Sequence, residues 1–346
     1  MNHDLLGKIS HVPNDLELVI PGNVSFLEAL LVIAFILHIV FVNVIVAGSA
    51  NALFLEFKGI LRKNSIYDEL ARHLATHVSI NKSIAVVLGV APLLIISTIY
   101  TQFFYPSTIL IGKMWLLLVP LLILSFLLLY VYKFTWEVWQ KWKGLHLAFG
   151  LLGTAILLFV PLVFIVNVAS MLYPELWQQS RGFFASLFAY PTIWQRYAHF
   201  MASSFAVMGL YMYWWGGRRL KKEDDPVFVE AKRFGKREAL LFTVLQLLAG
   251  PLLLFSMDER VTRMFLGGSA LHVSLLAVTI VLAVALIFML VKLVQKESRR
   301  TFVAALTLLC LMIGTMSILR HEVRELYLQP YQQEAPRTVQ AVQAQN

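Results

Sequence analysis

Residues 26–54, FLEALLVIAFILHIVFVNVIVAGSANALF, are apolar almost without interruption and carry a histidine, His38, about a dozen residues in. A bilayer crossing takes about 20 mainly apolar residues as an α-helix. Hydrocarbon offers backbone groups no water, so each must bond within its own segment. The run lacks the alternating pattern of a barrel strand. It therefore reads as a membrane helix. Seven more such runs follow, and the predicted helices are about 26–54, 82–104, 108–132, 145–170, 193–215, 239–257, 271–293 and 301–319.

Composition agrees with these spans. Of 346 residues, 59% are hydrophobic and 14% charged, against about 25% charged in soluble domains. The expected class is an all-α integral membrane protein of eight helices, arranged as two four-helix bundles. It divides into an outer leader (1–25), a membrane domain (26–320) and an outer tail (321–346), disordered after Pro336. The first run is too long for a signal h-region and lacks a basic n-region, so no cleaved signal is predicted. Cys310 is the lone cysteine, which leaves no disulfide framework and no Cys-x-x-Cys-His for covalent haem.

The formal charge of +9 follows topology rather than nucleic acid. The segments joining helices 1–2, 3–4, 5–6 and 7–8 hold 20 of the 29 basic residues, and the opposite side holds 7. The positive-inside rule places the first set in the cytoplasm and both termini outside. The expected location is a bacterial-type cytoplasmic membrane, multi-pass. The segment 216–237 is expected to be a solvated helix and turn, and the aromatic 171–192 to lie along the interface.

Histidines stand at or inside several membrane edges. An intramembrane ionisable residue is a functional candidate by default, and a neutral imidazole suits haem iron. His38 lies deep in helix 1 and His199 lies six residues inside helix 5, ahead of the small residues Ala202, Ser203 and Ser204. The bland alternatives are a helix–helix hydrogen bond for His38 and close helix packing for the small residues. His272 and His321 lie at the outer edge, where each could equally be an exposed interfacial residue. His73 and His77, four apart, share a face, but without a third ligand or an HExxH glutamate they read as an amphipathic interfacial helix rather than a metal site. His146 starts helix 4; His3 and His11 are assigned nothing. Lys113, Arg196, Arg320 and Arg324 could meet haem propionates, or snorkel to headgroups. No acidic residue falls between Glu69 and Glu137, and helices 4 to 8 read as free of internal carboxylates, so no proton wire for oxygen reduction is expected.

Several stretches carry a resemblance. HIVFVNVIVAG (38–48) resembles a His-x-x-Phe-x-Pro segment. INKSIAVVLGV (80–90) places Asn81 and Gly89, and VNVASMLYPE (166–175) with YPTIWQRYAHFMASSF (190–205) places Asn167, Pro174, Pro191 and His199. In order and spacing these are similar to subunit I of cytochrome bd quinol oxidases, over about residues 26–258. The resemblance implies one haem ligand at His38 and a low-spin haem b ligand at His199. The family's methionine ligand has no counterpart in GGSALHVSLLAV, where His272 is the candidate for bis-histidine ligation. The family's helix 3 glutamates are absent from IGKMWLLLVPLLILSF, its long quinol loop shrinks to about MDERVTRMFLGG, and LRHEVREL replaces its Gly-Arg-Gln-Pro-Trp signature.

The expected function is thus a haem b-carrying electron-transfer subunit with one to three haems. It would pass electrons between a quinol pool, near Asp258, Glu259 and Arg260, and a redox protein such as a c-type cytochrome at the outer face. A second membrane subunit is an expected partner. The alternatives are a terminal quinol:oxygen oxidoreductase, or a cofactor-free anchor or transporter, for which Pro92, Pro120, Pro161 and Pro251 would break helices.

Overall fold

The computed structural model describes residues 12, 13 and 20–334. His3, His11, most of the leader and the tail after Glu334 lie outside the described residues. The predicted apolar runs are helical, but 82–104 is broken at Tyr100 and 108–132 at Ile111. In chain order the elements are α1 (Val24–Arg62), α2 (Ser65–Ile99), the short α3 (Thr101–Leu110), α4 (Gly112–Phe134), α5 (Lys143–Leu172), the short α6 (Phe183–Ala189), α7 (Ile193–Arg219), α8 (Pro226–Phe255), the one-turn α9 (Glu259–Arg263), α10 (Ala270–Gln295) and α11 (Arg299–Glu334). Seven of the eight long helices are long and apolar enough to cross a membrane. The exception, α7, carries Gln195, Arg196, His199 and a run of serines, and it packs against α1, α5 and α8.

Several helices outrun their apolar cores. The first helix has 39 residues, about 58 Å at 1.5 Å per residue, against a hydrocarbon core of about 30 Å. The second begins at Ser65 rather than near 82, and the eighth at Pro226 rather than near 239. Hydropathy reports only the lipid-facing part. The extensions are amphipathic and hold by packing on one another, at the end carrying Lys58, Arg62, Lys133, Lys141 and Arg218, here the basic end. Local chemistry fixes the starts. Asn23, Asn64 and Asp225 each accept a backbone N–H in the first turn of α1, α2 and α8, the usual work of an N-cap. Lys63 takes a left-handed conformation (φ 51°), so α1 turns into α2 within two residues.

Consecutive long helices pack as antiparallel hairpins, α1 on α2, α4 on α5, α7 on α8 and α10 on α11. The first two hairpins close into one group through α1–α5 and α2–α4. The other two join through α8–α10, while α7 has no extensive packing on α10 or α11. Helix α1 is shared, touching α7 and α11 as well. The α7–α8 crossing is the tightest: a Cβ on Gly209 would lie 2.5 Å from Ala239 N, and one on Gly235 2.4 Å from Gly209 O. Only glycine lets these backbones meet, as small residues do in membrane helix pairs.

Three sequence expectations change here. Lys82, counted with the loop between helices 1 and 2, lies within α2 at 1% exposure, with Nζ donating to the Phe126 carbonyl at 3.1 Å and sitting over the Tyr130 ring. The helices do contain buried carboxylates, Glu56 in α1 and Glu238 in α8, because both helices extend past their apolar runs. Pro92, Pro120, Pro161 and Pro251 all lie inside unbroken helices.

Candidate haem-binding histidines and arginine cavity

His38 meets α2 at a notch. Its Nδ1 is 2.8 Å from the Ala85 carbonyl, to which it must donate. One turn along α2, a Cβ on Gly89 would come within 2.7 Å of the ring, so glycine makes the space. The donation fixes the neutral tautomer and leaves Nε2 with its lone pair, the arrangement a metal-ligating histidine usually has.

His199 and Arg196 lie three residues apart on α7, and so on one face. His199 Nδ1 and Arg196 Nη2 are buried without a hydrogen-bond partner, while Arg196 Nε donates to Thr192 at 2.8 Å. Buried polar groups are nearly always bonded, so two orphans on one face mark a place where a ligand would fit.

Arg196 also lines a small cavity with Arg320 and Arg324 of α11, closed by Ile96, Val168 and Leu172. Arg324 Nε has no partner there. Arg320 also lies over Phe35 at 4.1 Å and Arg324 over Tyr100 at 4.7 Å, and Arg324 Nη2 is 3.4 Å from His321 Nδ1. Three guanidiniums that line one cavity, with no carboxylate ion pair to any of them among the described residues, form a receptor for anionic groups. Of the four basic residues that the sequence offers for propionates, the structure gathers these three. Lys113 does not line the cavity and is exposed in the first turn of α4.

The other two histidines have partners. His272 Nδ1 bonds Ser269 at 2.8 Å, its ring meets Phe265 edge-on, and its Nε2 is 3.4 Å from Glu322 without forming a hydrogen bond. His321 lies beside Arg324, with ligand atoms of Glu28 and Glu325 within 4.8 Å. Glu325 in turn accepts from the Tyr100 hydroxyl. The loop residues Asp258, Glu259 and Arg260 are exposed. Glu259 pairs with Arg263, Arg260 donates to the Leu326 carbonyl at 2.6 Å, and the Asp258 N–H donates to the Tyr327 hydroxyl at 3.0 Å.

At the basic end His73 meets Trp215 of α7 at a tilt and His77 meets it edge-on, and His77 Nδ1 bonds the Tyr211 hydroxyl, so the pair packs between helices. His146 is fully buried, with Nδ1 2.8 Å from Glu56 and Nε2 2.7 Å from the Tyr132 carbonyl. Lys143 bridges Glu56 and Asp68 at 3.2 and 2.6 Å. Both His146 nitrogens are engaged, so it offers no ligand atom. The sequence reading missed this cluster because Glu56 falls just past the apolar run. The signal available was its spacing, four residues after Ala52 and three after Leu53, on a helix that does not stop at 54.

These features define a multi-pass, all-helical membrane protein with ligand-ready imidazoles and a cationic cavity toward the end opposite the basic one. No family model and no curated protein matches the chain. Among solved structures, the bd oxidase from Geobacillus thermodenitrificans is similar over 91% of this chain and 90% of that chain, with a TM-score of 0.73 and 15% identity. The likeness shows a cytochrome bd-like fold.

Proposed function

We propose that the chain is a haem b-carrying electron-transfer subunit of a bd-like membrane complex, passing electrons between a quinol pool and a redox partner. His38 and His199 would hold iron, with His272 the candidate second ligand beside His199. Arg196, Arg320 and Arg324 would hold propionates. Haem supplies a one-electron carrier when bound. The protein's part is to fix the ligand tautomer through Ala85, to neutralise carboxylates in a low-dielectric interior, and to keep water out with Ile96, Val168 and Leu172. The observation that carries this reading is the pair of orphaned buried groups on one face of α7, His199 Nδ1 and Arg196 Nη2, of which Arg196 lines a cavity shared with two further arginines.

On this reading both termini face the periplasm, and a second membrane subunit and a c-type cytochrome are the partners. Oxygen reduction is the second reading, favoured by the buried carboxyls of Glu56 and Glu238; oxygen consumption by the isolated complex would support it. The primary test is a pyridine haemochrome assay with an optical spectrum. A b-type spectrum is expected, with the low-spin signal lost in His199→Ala and a separate loss in His38→Ala. A colourless polypeptide would overturn the proposal.

A further inference from the structure

A second cavity, larger than the arginine cavity, lies at the basic end, away from the histidines and arginines assigned above. It is a groove of about 640 Å³ between α1, α7 and α8, within the range of about 300–1,000 Å³ typical of small-molecule sites. Two ring pairs line it, Phe205 stacked on Phe242 (centroids 4.5 Å apart, planes 21°) and Phe54 beside Phe234 (6.1 Å). At its floor is Glu238, 6% exposed. One Glu238 oxygen accepts from the Asn51 amide at 2.7 Å, and the other is buried with no partner. The mouth is open, with Phe54 and Leu241 more than half exposed. The tight Gly209–Gly235 crossing sets the floor, because it brings Ala239, next to Glu238, against the α7 backbone.

We infer that this groove binds a flat, neutral, lipophilic ring bearing carbonyl or hydroxyl groups, of the quinone or quinol class, with the ring between the phenylalanines and a polar substituent on Glu238 and Asn51. The orphaned carboxyl oxygen requires a hydrogen-bonding partner at the floor, and the walls accept only an apolar, aromatic-compatible body. A phospholipid meets these conditions poorly. The cations that would hold its phosphate, Lys58, Arg62, Arg233 and Arg237, stand at the mouth. Asn51 is seven residues from Lys58 along α1, about 10 Å, so a headgroup held there leaves Glu238 unsatisfied. The site deepens the electron-transfer reading by giving a quinol a place. Its chemistry of recognition, however, does not require haem.

The test is equilibrium binding of a decyl-substituted 1,4-benzoquinone to the purified full chain in detergent, read as bound ligand and not as redox activity. Saturable binding is expected at one per chain. Glu238→Leu and Asn51→Leu should each weaken it about tenfold, as the loss of a buried hydrogen bond does. Glu238→Gln should stay within about threefold of the parent. Leu241→Trp is the safeguard if Glu238→Leu does not fold, because it fills the mouth from an exposed position and should also cost about tenfold. Phe184→Leu, exposed on α6 at the other end of the molecule, should change nothing. No saturable binding, binding indifferent to both Glu238→Leu and Leu241→Trp, or one phospholipid per chain retained by the parent and lost in Leu241→Trp would each overturn the assignment. A colourless protein that binds the quinone sinks only the haem reading, and a haem-loaded protein that does not bind it sinks only this one.

Discussion

Replacing Gly89 by alanine puts the contact between α2 and His38 to a direct test. The new Cβ would lie 2.7 Å from the His38 ring, where ordinary contact begins at 3.4 Å, so the ring must retreat about 0.7 Å. The Nδ1–Ala85 hydrogen bond, now 2.8 Å, comes from the same face of α2, so a retreating ring stretches it to the limit of bonding. Interhelical hydrogen bonds in membranes are worth about 0.6–2 kcal/mol. At 1.4 kcal/mol per tenfold, haem affinity at His38 should fall roughly 3- to 30-fold. Haem per polypeptide after titration of the purified variant reads this, and thermal unfolding reads the packing cost. The same substitution made in His38→Ala should cost nothing, because the ring that it strikes is gone. Equal losses in both backgrounds, or no loss in either, would refute the notch.

Gly235→Ala should be among the most damaging single-methyl changes in the chain, since the Cβ would meet the Gly209 carbonyl at 2.4 Å and backbone cannot yield. Overpacking of this kind costs about 1–3 kcal/mol, whereas Gly314→Ala, with nothing within 4 Å, should leave thermal unfolding unchanged. Glu56→Leu removes the buried acceptor of both His146 Nδ1 and the Tyr132 hydroxyl, while Lys143 keeps Asp68, and should cost about 2–5 kcal/mol, part of it recovered in Glu56→Leu/His146→Leu; an unchanged melting temperature in the single variant would show that the cluster is not structural. In the turn between α10 and α11, burial pushes the Glu297 carboxyl up, but hydrogen bonds and charge from Lys232 and Lys236 outweigh it and hold it below the usual carboxylate range. A depressed carboxylate gives stability that is present above its unfolded pKa and lost as pH falls through the folded one. Glu297→Gln should therefore flatten the acid side of the stability profile, by no more than about 1 kcal/mol for so exposed a pair.

Most of the fold was legible because lipid imposes a coarse rule that hydropathy reads well: the apolar runs are helical, although two of them are broken, and seven long helices are apolar enough to cross a membrane. Their ends were not legible. The apolar run of α8 starts near Ala239, yet the helix starts at Pro226, because Phe228, Ala231 and Gly235 pack on α7 rather than face lipid. That error hid Glu238, which the sequence places at an edge and the structure places at 6% exposure. The site was legible in part. The i, i+3 relation of Arg196 and His199 can be read from spacing, but their convergence with Arg320 and Arg324 depends on how α11 crosses α5 and α7, which no local pattern encodes. His73 and His77, read from sequence as part of an interfacial helix rather than a metal site, and His146, assigned no role from sequence, are packing and network residues, and the partners that engage them come from other helices.

The two-residue join at Lys63 and Asn64 has a consequence for how the chain enters a membrane. A connector that short leaves no slack for α1 to cross and wait. The first 39-residue rod and the 35-residue rod after it must be threaded as one bent staple, with its cluster of lysine and arginine at the crook. The biogenesis of the whole molecule then begins from a preformed pair, and later segments add to a scaffold whose handedness is already set.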